Sequence, residues 1–149
     1  MPAYNSLGTI QGLTSIQSDF GPKETMDRVE AEIRAGGLNV FARIDHAAGA
    51  AEAGLTLPPT KLIIFGNARG GTPLMQSAQT VGIDLPLKIL VWQDAANTTW
   101  LSYNQPEWIA QRHGIANAED TVTKMADLLN AISRTAWSLS RNTVEHDFV

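Results

Sequence analysis

The chain contains no cysteine, and this absence excludes several kinds of chemistry at once. Disulfide bonds, thiolate zinc sites, iron–sulfur clusters and a cysteine nucleophile all require the missing thiol. Basic residues are also few, with 11 Lys and Arg against 15 Asp and Glu and a formal net charge of -4. Because nucleic-acid binding needs a basic face that neutralises phosphates, we expect no nucleic-acid partner.

Long apolar runs are missing as well. No stretch approaches the roughly 18 apolar residues of a membrane-spanning helix, and residues 1–6 lack the basic start of a secretory signal. We therefore expect a cytoplasmic protein with no membrane partner. A length of 149 residues, of which 44% are hydrophobic, is sufficient for one domain with a proper core. We place this domain at residues 1–137 and expect a loosely ordered tail at 138–149.

Hydrophobic periodicity indicates a mixture of strands and helices. Five segments have the β-branched or alternating pattern of strands, namely 8–16, 38–45, 62–65, 86–94 and 98–103. Residues 95–97 join the last two strands and have the composition of a hairpin turn. Amphipathic patterns predict two main helices at 21–36 and 119–137 and shorter helices at 47–55, 72–81 and 106–114.

Three runs of residues, in this order, resemble a known family. They are Phe41–His46, then Ile63–Asn67 with Gly71–Met75, and then Ile83–Lys88 with Val91, Trp92, Tyr103 and Asn104. Together they resemble the bacterial and archaeal family called domain of unknown function 302, most closely over residues 38–104. The resemblance implies an α+β fold similar to the TATA-binding-protein class, in the order β-α-β-β-β-β-α, and often a homodimer. It implies no activity.

We therefore predict an α+β fold in which a mostly antiparallel, curved sheet carries the helices at 21–36 and 119–137. The first candidate site lies where the second strand ends. Arg43 and Asp45, two residues apart, share one face of that strand. Together with His46 they are candidates for a pocket in which the imidazole moves a proton. The alternative is structural, because Asp is a preferred residue for capping the helix that follows.

The second candidate site is the loop from Gly66 to Thr72. Glycines followed by a helix start favour negative charge, so Asn67, Gly71 and Thr72 are candidate ligand-binding residues. Thr72 before Pro73 predicts the helix start itself. The loop lacks the lysine of a Walker A motif and the spacing of a dinucleotide fingerprint. The alternative is a tight strand-to-helix turn that Thr72 simply caps.

Tyr103 is a further candidate, because its hydroxyl could reach the same sheet end as Asp45 if the strand order allows it. The nitrogen ligands available for a metal are His46, His113 and His146, and no two of them are four residues apart. We therefore predict no metal site, although a single histidine bound to a haem stays open. No G-x-S-x-G nucleophile motif is present.

Three functional hypotheses remain open at this point. The first is a non-catalytic homodimeric module that binds a small ligand near Asp45, His46, Asn67 and Thr72, with an anion as one option. The second is an enzyme with His46 or His113 as general base, Asp45 to orient it and Arg43 to hold an anionic substrate. The third is a haem or metal binder through His46 or His113. The absence of a catalytic signature favours the first, and the sequence identifies no cofactor.

Overall fold

The computed structural model describes residues 10–141, and its centre is a five-stranded sheet. The strands are β1 (Leu13–Gln17), β2 (Asn39–Asp45), β3 (Thr60–Gly66), β4 (Leu87–Gln93) and β5 (Thr99–Asn104). They lie in the order β1-β5-β4-β3-β2, and every neighbouring pair is antiparallel. The predicted α+β fold with an antiparallel sheet is confirmed.

Five α-helices accompany the sheet in the described part of the chain. They are α1 (Pro22–Ala35), α2 (His46–Glu52), α3 (Ala68–Ser77), α4 (Pro106–Arg112) and α5 (Glu119–Ser133), and 3-10 turns follow α3 at Gln79–Ile83 and α5 at Arg134–Ala136. If α2, α3 and α4 are treated as additions, the order is β-α-β-β-β-β-α, as the resemblance implies. The long C-terminal helix is interrupted at Ser133 and continues as a tighter turn.

The core lies between one face of the sheet and the two main helices. Met26, Val29 and Ile33 of α1 recur every three to four residues and are fully buried, which is the stripe expected of a helix packed on a sheet. From α5, Met125, Leu129 and Ile132 are buried in the same core. The sheet contributes alternate residues of its central strands, Ile63, Phe65, Ile89 and Val91. The helices therefore share one sheet face.

The start of α3 differs from the prediction. Asn67, rather than Thr72, is the N-cap, and its side-chain oxygen accepts the Gly70 N–H at 2.8 Å. Pro73 consequently lies inside the helix, where it lacks the N–H that would bond to the Arg69 carbonyl. Asn is a stronger N-cap than Thr, so the helix begins at the earlier of the two signals.

One strand boundary moves, and the predicted hairpin turn is found. β1 begins at Leu13, because Gly12 has φ +77° and leaves the extended conformation; residues 8 and 9 of the predicted strand lie outside the described residues. The predicted hairpin turn is present between β4 and β5, with Asn97 in the left-handed region at φ 64°. Asp94 stabilises this turn by accepting backbone N–H groups from Ala96 at 2.9 Å and Thr98 at 3.0 Å.

Four residues of the predicted tail are described, and they contact the end of β1. The Ser138 N–H donates to Asp19 at 2.7 Å. Arg141 donates to the Gln17 carbonyl at 2.9 Å and to Asp19 at 3.0 Å. Residues 142–149, including His146, lie outside the described residues.

Candidate functional site

The strand order separates the predicted site residues. Asp45 pairs with Lys61 at the start of β3, whereas Asn67 follows the other end of β3, where Gly66 pairs with Asn39. Five residue steps of about 3.3 Å place these two ends of the strand roughly 17 Å apart. The expectation that Asp45, His46, Asn67 and Thr72 form one sheet end is therefore corrected. The antiparallel pairing of β2 with β3 puts the two groups at opposite ends.

At the first end, the charged candidates are occupied by structural partners. Asp45 accepts the Ala48 N–H at 2.9 Å as the N-cap of α2, and the Lys61 ammonium lies 3.8 Å away. Arg43 donates to Glu30 of α1 at 2.6 Å. The hydrogen bond from Arg34, together with the charge and the hydrogen bond of Arg43, holds the pKa of Glu30 below its usual range. His46 is the exposed first residue of α2.

A hollow of about 530 Å³ lies at this end and includes Asp45, Lys61 and Lys23 among its lining residues. Arg43 and His46 do not line it. Lys23 is paired with Asp27 at 2.9 Å, and Lys61 lies opposite Asp45. The charges around this hollow are therefore balanced within the protein.

At the other end of the sheet lies a cavity of about 500 Å³ that we call the α3 cavity. Its walls come from the end of β3, from α3, from the segment 82–87 and from α5. Most of its lining is apolar and includes Leu38, Phe41, Phe65, Met75, Leu85, Pro86, Leu87, Met125 and Leu128. Two of the predicted residues, Asn67 and Gly71, line this cavity, whereas Thr72 does not.

Glycines shape the α3 cavity by leaving side-chain space empty. A Cβ atom on Gly71 would lie 3.5 Å from Leu85 Cδ1 and 3.6 Å from Met75 Cε, which are ordinary contacts with two lining residues. A Cβ on Gly82 would lie 3.3 Å from the Met75 sulfur. A positive φ is found at Gly66, at +150°, and not at Gly71. Gly71 therefore keeps space open in the cavity, and its backbone conformation does not require a glycine.

The charged residues that line the α3 cavity are both cations. They are Arg69 of α3 and Lys124 of α5, and no Asp or Glu lines it. Both side chains are exposed, and neither has a hydrogen bond or ion pair within the described residues 10–141. The whole chain has a net charge of -4, so the positive charge at this cavity is opposite in sign to the net charge of the protein. The α3 cavity thus combines apolar walls with unpaired positive charge.

His113 belongs to a third arrangement, on the 3-10 turn after α3 and the end of α4. Its Nε2 lies 2.6 Å from Asp84 Oδ2 and its Nδ1 lies 2.9 Å from the Thr80 hydroxyl. Arg112 donates to both Asp84 oxygens, at 2.8 and 2.9 Å. Burial raises the pKa of Asp84, but the bonds from His113 and Arg112 outweigh it and hold this pKa below its ordinary value. The carboxylate partner of His113 is therefore Asp84 and not Asp45.

The sequence left open whether Tyr103 lies at the sheet end of Asp45, and in the structure it does not. It is the penultimate residue of β5 and pairs with Thr14 of β1, and the register through β4 places it level with Ile63, the middle residue of β3. Two strand spacings, about 10 Å, separate β5 from β3. Burial raises the pKa of its hydroxyl. Tyr103 packs against the core and does not line the α3 cavity.

The described part of the chain offers few side chains that could bind a metal ion or a haem iron. Residues 10–141 hold no cluster of three or more His, Asp or Glu side chains that could bind a metal ion. Both ring nitrogens of His113 already have partners, so a haem iron would have to displace one. Of the three predicted nitrogen ligands, His46 is the one described with an exposed ring.

Sequence reasoning missed Arg69, Lys124 and Asp84. The signal for Lys124 was present, because Thr121, Lys124 and Leu128 fall on one side of α5, next to its buried stripe. That side of α5 is recognised as a cavity wall only in the folded structure, where α3 packs against α5 and supplies the facing wall. Asp84 was quoted in the family resemblance, but its partner His113 lies 29 residues away in sequence.

Comparison with known proteins agrees with the fold. A sequence profile described as "Domain of unknown function DUF302" matches residues 14–132, which is most of the chain. The chain belongs to the DUF302 family. A crystal structure described as an uncharacterized conserved DUF302 protein from Bacillus stearothermophilus has a TM-score of 0.76 at 19% sequence identity. The similarity covers 85% of this chain and 99% of that one, so the two proteins share the DUF302 fold.

Curated relatives of this DUF302 chain are longer proteins that are named as ion channels. The relatives named "Fluoride-specific ion channel FluC 1" from Brucella suis and Brucella abortus are each 50% identical over 113 residues. The match covers 76% of this chain but 44% and 42% of those proteins, so the chain spans less than half of their length. Within residues 10–141, no helix is long and apolar enough to cross a membrane.

Proposed function

We propose that this DUF302 chain is a non-catalytic module that binds a small molecule in the α3 cavity. The observation that carries the proposal is the cavity itself. Its volume of about 500 Å³ lies within the 300–1,000 Å³ range of small-molecule sites, and its lining is apolar with a few polar groups. The predicted loop residues Asn67 and Gly71 belong to it. Asp45 and Arg43, by contrast, have structural partners that explain their presence.

Binding of an uncharged fluorescent probe tests this proposal. We expect N-phenyl-1-naphthylamine to bind with increased fluorescence, and the G71L variant, whose added side chain starts between Leu85 and Met75, to reduce that binding. G49L is the matched control, because a Cβ on Gly49 of α2 meets nothing within 4 Å and Gly49 does not line the cavity. Equal binding by the wild type, G71L and G49L would rule out the α3 cavity as the site.

A second candidate function is an enzyme in which His113 is the general base and Asp84 takes the orienting role expected of Asp45. If the proton of the neutral imidazole is on Nε2 and donated to Asp84, Nδ1 accepts the Thr80 hydroxyl, the arrangement of a base beside a nucleophile. The observation against it is that none of these three residues lines the α3 cavity. Hydrolysis of p-nitrophenyl acetate that is lost in both T80A and H113Q, while both remain folded, would favour this candidate.

We also propose that the module is a homodimer, as the resemblance implies. β2 is an edge strand of the sheet, and its Ile44 is 40% exposed. An exposed edge with large apolar side chains is a surface that proteins usually cover. The second sheet face, which also carries Ile64 and Leu90, extends this surface.

A further inference from the structure

We infer that the α3 cavity selects apolar molecules that carry one acidic head group and rejects uncharged or cationic analogues of the same shape. This inference rests on the proposed function, because it names the ligand class of the same cavity. Three observations carry it: the sign of the lining charges, the absence of partners for them in the described part of the chain, and the shortage of other polar groups.

The lining charges favour a negative ligand. Arg69 and Lys124 lie on two different helices that both wall the cavity, and no carboxylate lines it. In a chain with four more acidic than basic residues, two cations without a partner among residues 10–141 are a local excess of positive charge at this cavity. Other basic residues show the usual pattern, since Lys23, Arg28 and Arg34 each pair with a carboxylate four residues away. A ligand acid group would complete the missing pairs.

The remaining lining excludes strongly polar ligands. Sugars and nucleotides need several uncharged hydrogen-bonding groups, and the uncharged polar side chains here are Asn67 and Thr121. The Asn67 oxygen already accepts the Gly70 N–H at 2.8 Å. An inorganic anion alone would leave the walls formed by Phe41, Leu85 and Leu128 in contact with water. A molecule with an apolar body and a single acidic end satisfies both parts of the cavity.

The size of the expected preference follows from exposure. Arg69 and Lys124 are exposed, so each pair with a ligand acid contributes at most about a fivefold gain in affinity, as for other surface ion pairs. Two such pairs give a preference on the order of tenfold for an acid over its alcohol. The preference should decrease with salt, because exposed charges are screened.

A matched series of ligands tests the inference on the full chain. We would measure binding of 4-phenylbutyrate, 4-phenylbutanol and 4-phenylbutylamine by calorimetry, with phenylbutyl phosphate and inorganic phosphate as further arms. We expect both acids to bind about tenfold more tightly than the alcohol, and the amine to bind most weakly. Tighter binding of the phosphate ester than of the carboxylate would indicate which acid the cavity prefers.

Variants connect the preference to the two cations. R69Q and K124Q should each lower the affinity for 4-phenylbutyrate about threefold and leave the affinity for the alcohol unchanged. K23Q is the control, because Lys23 lies on α1, pairs with Asp27 and does not line the cavity. Thermal unfolding of all three variants without ligand checks that they remain folded.

The failures of the two proposals can be distinguished. Equal affinity for the acid and the alcohol would overturn the acid preference but leave a binding cavity. Stabilisation by inorganic phosphate as strong as that by 4-phenylbutyrate would also overturn it, because the apolar walls would then contribute nothing. If neither the series nor the uncharged dye binds, the proposed function itself fails.

Discussion

At the scale of single residues, Asp45 has the capping role that the sequence offered as its structural alternative, whereas Gly71 has a role that its sequence neighbourhood did not suggest. Asp45 is the N-cap of α2 and receives the Ala48 N–H. Gly71 provides space in a helix that lines a cavity. In both cases the residue was recognised from sequence, and its surroundings decided what it does.

Substitution of Asp45 separates its capping role from its charge. We expect Asp45→Ala to lower the free energy of unfolding by about 1 kcal/mol and Asp45→Asn to be nearly neutral, because Asn accepts the same N–H. Urea denaturation of both variants measures this. A comparable loss in both would instead indicate that the Lys61 ammonium, 3.8 Å away, contributes through charge.

Two glycine substitutions should have opposite outcomes. In Gly12→Ala, the new Cβ would lie 2.3 Å from the Trp108 ring and the residue would keep φ +77°, so we expect a loss of at least about 2 kcal/mol. In Gly71→Ala, the contacts are ordinary and the helix gains a better helix former, so stability should stay the same or rise by up to about 1 kcal/mol. Thermal unfolding checks both. A destabilised Gly71→Ala would mean that the cavity wall cannot accept a methyl group.

At the scale of elements, the Asp84 carboxylate joins the segment before β4 to the end of α4. His113 and Arg112, both at that end, donate to it. Because the same segment continues into Leu85 and Pro86, which line the α3 cavity, this connection holds one cavity wall in place. Local sequence propensity does not predict that Arg112 or His113 binds Asp84, because both lie far from it in sequence.

The pH dependence of stability should report this connection. The pKa of Asp84 is lowered in the folded state, so its contribution is complete above the unfolded pKa of about 4 and is lost as the pH falls through the lower folded value. We expect Asp84→Asn to lower the free energy of unfolding by about 1.5–3 kcal/mol at pH 7 and by less at pH 3. Denaturation at both pH values measures this. Asp120→Asn, at the exposed start of α5, is the control, and an equal loss at both pH values would contradict the ionic connection.

At the scale of the whole molecule, the sheet has two different faces. The first is covered by α1 and α5, whose buried stripes form the core. The second carries Ile44, which is 40% exposed on the edge strand β2. A partner surface on this side is the simplest explanation for large apolar residues at a sheet edge.

Light scattering tests the homodimer. We expect a mass near twice the chain mass of 16.1 kDa for the wild type and a single-chain mass for Ile44→Lys, whose charge would be buried at the interface. Lys124→Gln, at the cavity and not on the sheet, is the control and should keep the dimer. A wild-type mass of one chain at tens of micromolar would rule the homodimer out.

The sequence by itself determined the elements of this protein and the family resemblance. The buried stripe of α1, the β4–β5 hairpin with Asn97 and the capping role of Asp45 depend on contacts between near neighbours, so local patterns were enough to predict them. Only the tertiary structure decided which candidates meet. The antiparallel pairing of β2 with β3 separates Asp45 from Asn67, and the packing of α3 on α5 brings Arg69 and Lys124 to one cavity. These are contacts between residues distant in sequence, and periodicity carries no information about them.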